Sequence, residues 1–228
     1  MIYSQNINKK IKTNSSYILS QRKALSMMET SYLSAATALI WIGLYYIPIG
    51  GAFFRLALPL PLVLLQLRRG WKYGVEGLAL LVLLLVVLMG PVRGPLVLFP
   101  YGFLALWLGW SWSNYLSWWV SWPIGVVIGT LGFLIRVCVL SLLVGENLWV
   151  VITRAGGSLL ERLVEVLNLP IVPDTFLVQL CAIVLVITQE LIYILCLHAI
   201  SYWIFPRIKA SMPEPPKILN RLLSLDTI

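Results

Sequence analysis

The hydrophobic positions of this chain form continuous runs of membrane length, and the polar residues collect between them. The runs cover about 31–47, 52–67, 75–89, 95–112, 118–143 and 175–205. Pro48 with Gly50 and Gly51 ends the first, Arg68, Arg69 and Gly70 the second, Gly90-Pro91 the third, and Gly145 the fifth. Pro59 and Pro61 interrupt the second run, and Pro100 and Gly102 lie early in the fourth. Roughly 20 helical residues cross an apolar core about 30 Å thick, so the second and third runs are short and the sixth is long enough to tilt or project. The pattern predicts an all-α polytopic bundle of about six transmembrane helices over residues 27–206. Residues 1–26 are polar and free of acids, which predicts a disordered cytoplasmic tail; Met27 or Met28 as the start would make it dispensable. Residues 207–228 form a basic cytoplasmic C-tail.

The longest connection, Gly145 to Asp174, contains Ser158-x-x-Glu161, the pattern of a capping box, before Leu159, Leu160, Leu163, Val164 and Leu167. These apolar positions share one helical stripe, opposite Glu161, Arg162 and Glu165. Residues 148–167 therefore read as an amphipathic helix, lying on the membrane surface or folded as a lid over the mouth of the bundle.

Composition narrows the class. Of the 228 residues 60% are hydrophobic and 11% charged, against roughly 25% charged in soluble domains. Such a chain cannot cover a water-facing surface and is an integral membrane protein in contact with the lipid bilayer. The net charge of +8 gathers at the two ends and at Arg68, Arg69 and Lys72, as a topology signal and not as a nucleic-acid surface. It predicts N-in and C-in. Trp107, Trp110, Trp112, Trp118, Trp119 and Trp122 bracket the uncharged turn between the fourth and fifth runs, as an interfacial belt does.

Within the apolar frame, Arg55, Arg93 and Arg136 stand out. An arginine in hydrocarbon costs several kcal/mol unless it is paired, hydrated or snorkelled. Arg55 lies about 6 Å past Gly51, Arg93 in a turn at the same end, and Arg136 about 27 Å from Trp118, so all three fall at the non-cytoplasmic level. Tyr45, Tyr46, Tyr101, Glu146 and Asn147 fall there too. Guanidinium, phenol and amide groups at one level suit a carboxylate or phosphate ligand, with aromatic rings against its remainder. The alternative is that each arginine reaches lipid headgroups or an acid such as Glu146 or Asp174.

Two acids fall nearer the cytoplasmic side. Glu76 follows Lys72 by four residues, an i,i+4 ion pair. Glu190, preceded by Gln189, is expected about 22 Å from the start of the sixth run, protonated or hydrogen-bonded inside the bundle.

Enzyme chemistry finds little support. His198 is the single histidine, near the cytoplasmic end, whereas Cys138 is near the other. Arg136 and Cys138 face different sides of one helix. No paired carboxylates, metal-ligand cluster, phosphate loop or dinucleotide motif is present, so the expectation is a non-enzyme without cofactor or metal. Cys138, Cys181 and Cys196 read as packing residues. In the first run, Ser31 with Ala35 and Ser34 with Ala38 place small residues four apart. They permit close helix approach, within the chain or to a partner subunit.

Several stretches together carry a family resemblance: Met28-Glu-Thr-Ser-Tyr-Leu-Ser, Pro59-Leu-Pro-Leu-Val, Val87-Leu-Met-Gly-Pro-Val-Arg93-Gly, Phe99-Pro-Tyr-Gly102, Gly132-Phe-Leu-Ile-Arg136 and Leu142-Leu-Val-Gly-Glu-Asn-Leu-Trp149. Over about Met28 to Pro216 the chain resembles the YybS-like family of multi-spanning proteins (domain of unknown function 2232), in its branch from oxygenic phototrophs. That family is distantly similar to the S components of energy-coupling factor transporters, six-helix proteins that capture vitamins or their precursors. In those, a small-residue face on the first helix meets a transmembrane coupling subunit driven by two ATPases. The resemblance implies a capture subunit for a small anionic solute, in a cell inner membrane or a thylakoid or plastid membrane. The other reading is a non-transporting scaffold or assembly factor for a membrane complex.

Overall fold

The computed structural model describes residues 2–47, 50–166, 174–208, 210 and 212–216, and the regular structure among them is entirely helical. The helices are α1 (Ile2–Tyr46), α2 (Gly51–Ala57), α3 (Leu60–Arg69), α4 (Trp71–Met89), α5 (Tyr101–Ser113), α6 (Trp118–Val144), α7 (Leu148–Val166) and α8 (Thr175–Ile204). Short 3₁₀ turns at Pro95–Leu98 and Phe205–Ile208 precede α5 and follow α8. The protein is an all-α membrane bundle.

Five of these segments are long and apolar enough to span a membrane: Gly51–Arg69, Trp71–Met89, Pro95–Ser113, Trp118–Val144 and Thr175–Ile204. The first makes one span of α2 and α3, bent at Leu58-Pro59, where the proline lacks the N–H that an unbroken helix would use. The predicted first run is absent from the five because hydroxyls dilute it. Thr30 and Thr37 donate to the carbonyls of Ser26 and Leu33 one turn back, and Ser34 donates to Gly77 O on α4 at 2.8 Å. Its helix nevertheless packs lengthwise on α4 and α3. Ser34 and Ala38 are buried in that contact, whereas Ser31 is exposed and Ala35 half-buried.

Other expectations also shift. The stretch expected as a disordered tail is the first part of α1, in a sequence with neither proline nor glycine before Gly43. The C-terminal segment is no free tail as far as Pro216. Arg68 Nη2 donates to Ile208 O at 2.8 Å, Trp118 Nε1 donates to Pro213 O at 3.0 Å, and Ala210 is buried. Residues 217–228 lie outside the described residues.

Ser158 caps nothing, because α7 starts ten residues earlier and the Ser158 hydroxyl donates to Ala155 O within it. The N-terminus of α7 is capped by Asn147, whose Oδ1 accepts from Trp149 N at 3.1 Å. α7 packs on α6 and α8, with Gly157 facing Val178. The stripe residues Leu159, Leu160, Leu163, Val164 and Leu167 lie outside the described side chains.

The tryptophan belt divides in two. Trp110 and Trp119 are exposed, but Trp112 and Trp118 are buried and hold His198 between them, each 5.1 Å from it by ring centroids. His198 is 0% exposed. Its Nδ1 lies 2.9 Å from Ile194 O and its Nε2 3.1 Å from Ser121 Oγ. A proton on Nδ1 and a donating Ser121 hydroxyl satisfy both ring nitrogens of a neutral imidazole. This polar knot ties α5, α6 and α8 together at the end where Arg68, Arg69 and Lys72 gather.

At the same end Arg69 Nε donates to Glu29 Oε2 at 2.7 Å, joining α3 to α1. Lys72 and Glu76 lie 3.9 Å apart, the expected i,i+4 pair.

α6 presents Gly125, Gly129 and Gly132 to its neighbours. A methyl group on Gly125 would lie 3.3 Å from Ile194 Cγ2, and one on Gly132 2.6 Å from Pro100 Cα and Cβ. Because Gly132 meets the N-cap of α5, α6 continues to Val144 past the start of α5, and the first turns of α8 project with it.

Three substitutions test these contacts. Gly132→Ala presses a methyl on the backbone of Pro100, which cannot rotate away, and should destabilise the protein by about 1–3 kcal/mol. Gly156→Ala, with open space around it, should be neutral or stabilising by about 0.5–1 kcal/mol. Thermal unfolding in detergent measures both. The Arg69 hydrogen bond holds the Glu29 carboxyl below its ordinary value against the opposing effect of burial. The pair's contribution is present above the unfolded value and lost as pH falls through the lowered folded one. Wild type should exceed Glu29→Gln by at most about 1 kcal/mol at neutral pH, as for partly exposed pairs. The gap should close below roughly pH 4.

Candidate functional site

Arg55 on α2, Tyr101 on α5 and Arg136 on α6 lie on one side of the bundle, where α8 packs on α2 and α6. Tyr101 lies within electrostatic range of both arginines and of Glu190. Arg136, half-buried on α6, donates from Nη2 to Tyr45 OH at 2.9 Å, and its guanidinium lies over the Trp41 ring, 5.4 Å from the centroid. From there a line of rings crosses the bundle. Trp41 meets Tyr45 and Tyr101 edge-on at 5.1 and 5.8 Å, and Tyr101 meets Tyr193 at 6.3 Å. The ribbon connects Arg136 to the surroundings of Arg55.

There an open cavity of about 310 Å³ lies between α2 and α8, lined by Arg55, Tyr101, Gln189, Glu190 and Tyr193, with Leu56 and Ile192 among its apolar wall. Arg55 is exposed at its edge. Tyr193 OH donates to Arg55 O at 2.9 Å and thereby fastens the short helix α2 to α8. Glu190 is 6% exposed, and among the described residues its Oε2 has no hydrogen-bond partner. Glu190 Oε2 rests against α6 where a methyl on Gly129 would come within 2.5 Å of it. Arg55 and Glu190 influence each other electrostatically but do not form an ion pair.

Sequence reasoning placed Glu190 deep on the cytoplasmic side, whereas it stands level with Arg55 and Tyr101. The depth was counted from the beginning of the sixth run, and the opening turns of α8 lie beyond the packed bundle. Trp41 and Tyr193 were missed as well. Trp41 precedes Tyr45 by one helical turn, and Tyr193 follows Glu190 by three residues, so helical spacing from the named residues reaches both.

The remaining candidates lie elsewhere. Arg93 is exposed in the turn after α4 and makes no hydrogen bond or ion pair among the described residues. Glu146 and Asn147 sit in the turn between α6 and α7, beside a separate groove of about 710 Å³ that also includes Cys138, Ser141, Trp149 and Ile183. Ser141 Oγ accepts from Leu148 N at 3.0 Å, so Ser141 and Asn147 are engaged in starting α7. Cys138 and Cys196 are exposed and Cys181 partly so, all as free thiols.

A larger hollow of about 910 Å³ runs between α5 and α6, walled by Phe99, Phe103, Trp107, Trp110, Leu131 and Ile135. It lacks charged groups and faces sideways, as a surface for lipid chains does. Among the described residues no three His, Cys, Asp or Glu side chains converge as metal ligands.

Neither the curated proteins nor the solved structures contain a match to this chain. A family model described as a predicted membrane protein (DUF2232) matches residues 34–168, from the packed half of α1 to the end of α7. Arg55, Arg93, Tyr101 and Arg136 fall inside the matched region, and Glu190 and Tyr193 beyond it. The protein belongs to the DUF2232 family of predicted membrane proteins.

Proposed function

We propose that this protein is the solute-binding subunit of a membrane importer and captures a small anionic compound from the non-cytoplasmic side. The observation that carries this reading is Arg55, a guanidinium with no acid or hydroxyl bound to it among the described residues, at the edge of a small, largely apolar cavity that Glu190 and two tyrosines also line. A charge retained at such a position without a partner is suited to an incoming ligand. Arg136 adds positive potential across the aromatic ribbon, and Arg93 adds to the field that draws an anion to this end. The charge bias favours N-in and C-in, which turns the Gly51 end outward. Ser31 and Ala35, on the less buried side of α1, offer small residues to a coupling subunit, whereas Ser34 and Ala38 hold α4. Energy for transport would come from that subunit's ATPases.

Calorimetric titration of the purified protein with anionic vitamins and nucleotide precursors tests the proposal. Arg55→Gln should weaken the detected ligand by about thirtyfold or more. Arg136→Gln should have a smaller effect, because that side chain already holds Tyr45 and Trp41. Absence of any ligand, with co-purification of membrane-complex subunits but no coupling subunit or ATPases, would establish the scaffold reading instead.

A further inference from the structure

We infer that the cavity between α2 and α8 takes a zwitterion of amino-acid size, with its anionic group at Arg55 and its protonated amine at Glu190. This rests on the solute-capture reading and specifies the class of solute.

The argument starts from two opposite charges that share one small cavity and do not meet. In surroundings of low dielectric the attraction between a guanidinium and a carboxylate is strong, and a free pair closes to a bidentate contact. Here two contacts hold the partners apart. Tyr193 OH binds the main-chain oxygen of Arg55 and fixes α2 against α8. Glu190 Oε2 rests against the bare backbone of Gly129 on α6. The residue is buried, and this oxygen has no donor among the described residues. A buried acid left in that condition costs several kcal/mol unless a cation or a donor reaches it.

A simple anion satisfies Arg55 but brings like charge toward Glu190. A simple cation satisfies Glu190 and leaves Arg55 where it was. A molecule carrying both charges a few ångströms apart satisfies both residues and is itself neutral overall. The volume of about 310 Å³ lies at the small end of ligand pockets. It suits a ligand of amino-acid size. Gln189 offers an amide to either end, and Tyr101 and Tyr193 supply hydroxyls and ring edges to the middle of the ligand.

The test uses the full-length protein in nanodiscs and three matched sets of probes in calorimetric titrations. These are zwitterions (the proteinogenic amino acids, β-alanine and 4-aminobutyrate), acids lacking the amine (butyrate and succinate), and an amine lacking the acid (butylamine). The expected result is binding confined to members of the zwitterion set. Arg55→Gln and Glu190→Gln, both near-isosteric at the cavity, should each lower that affinity by about thirtyfold or more. Unfolding temperatures of the two variants, compared with wild type, verify that the fold is kept. Acids that bind as tightly as zwitterions, with no effect of Glu190→Gln, would overturn the zwitterion class and leave anion capture standing. Binding confined to butylamine would overturn both the class and the anionic ligand. Silence in all three sets, together with silence toward the anionic vitamins and nucleotide precursors, would remove solute capture itself.

Discussion

The close approach of α8 and α5 to the bare backbone of α6 is the constraint on which the remaining geometry depends. Apolar side chains gain little by leaving lipid for one another, so helices in a bilayer associate through tight packing and buried polar contacts. Gly125, Gly129 and Gly132 supply the surface for it, facing Ile194, Glu190 and Pro100. This seam fixes how α8 is rotated. With Ile194 and Glu190 turned toward α6, Tyr193 and Gln189 face the cavity beside α2. A side chain larger than hydrogen at 129 would displace the carboxylate, and one at 132 would push the beginning of α5 away together with Tyr101. The seam thus determines which groups line the site as well as how the bundle holds together.

The two ends of the seam differ in character. Near Trp118 it finishes in the knot of His198, Ser121, Trp112 and Trp118, where each hydrogen bond of the imidazole is met by the chain itself. Towards Gly132, Glu190 Oε2 and Thr130 Oγ1 are buried without a partner among the described residues, as Trp112 Nε1 and Ser111 Oγ are at the His198 end. What separates the two ends is charge: the buried group of the first is a neutral imidazole, that of the second a carboxylic acid beside a cavity. The polar side chains of α8 therefore divide by position: His198 belongs to packing, whereas Glu190 belongs to the cavity.

Much of this was legible in the sequence, because membrane length and the Pro and Gly stops dictate where spans begin and end. The runs 75–89, 95–112, 118–143 and 175–205 lie within a few residues of the helices observed. The level of Arg55, Tyr101 and Arg136 was also readable from helical rise. Two physical facts defeated the rest. Counting depth along a run assumes that the run starts at the surface of the bundle, and α6 and α8 both extend past α5, which put Glu190 at the wrong height. Residue type, too, is silent on rotation about the helix axis. Trp112 and Trp118 share the composition of Trp110 and Trp119 but face inward, and Asn147, eleven residues beyond Arg136, serves the start of α7.

The arginines within and beside the spans provide an internal control for the functional reading. Arg136 meets Tyr45 and Trp41, Arg69 meets Glu29, Arg68 meets Ile208 O, and Arg207 lies 3.9 Å from the centroid of Trp203. A purely structural account predicts this outcome for every guanidinium that the apolar region must accommodate, and for these four it suffices. Arg93, in the exposed turn after α4, needs no such partner, but Arg55 departs from the pattern. It lies inside the span Gly51–Arg69, with a carboxylate lining the same cavity, and the two form no salt bridge among the described residues. The hydroxyl of Tyr193, bound to the main-chain oxygen of Arg55, restrains α2 against α8. A structural role for Arg55 would be served by releasing this restraint, whereas a ligand role requires keeping it.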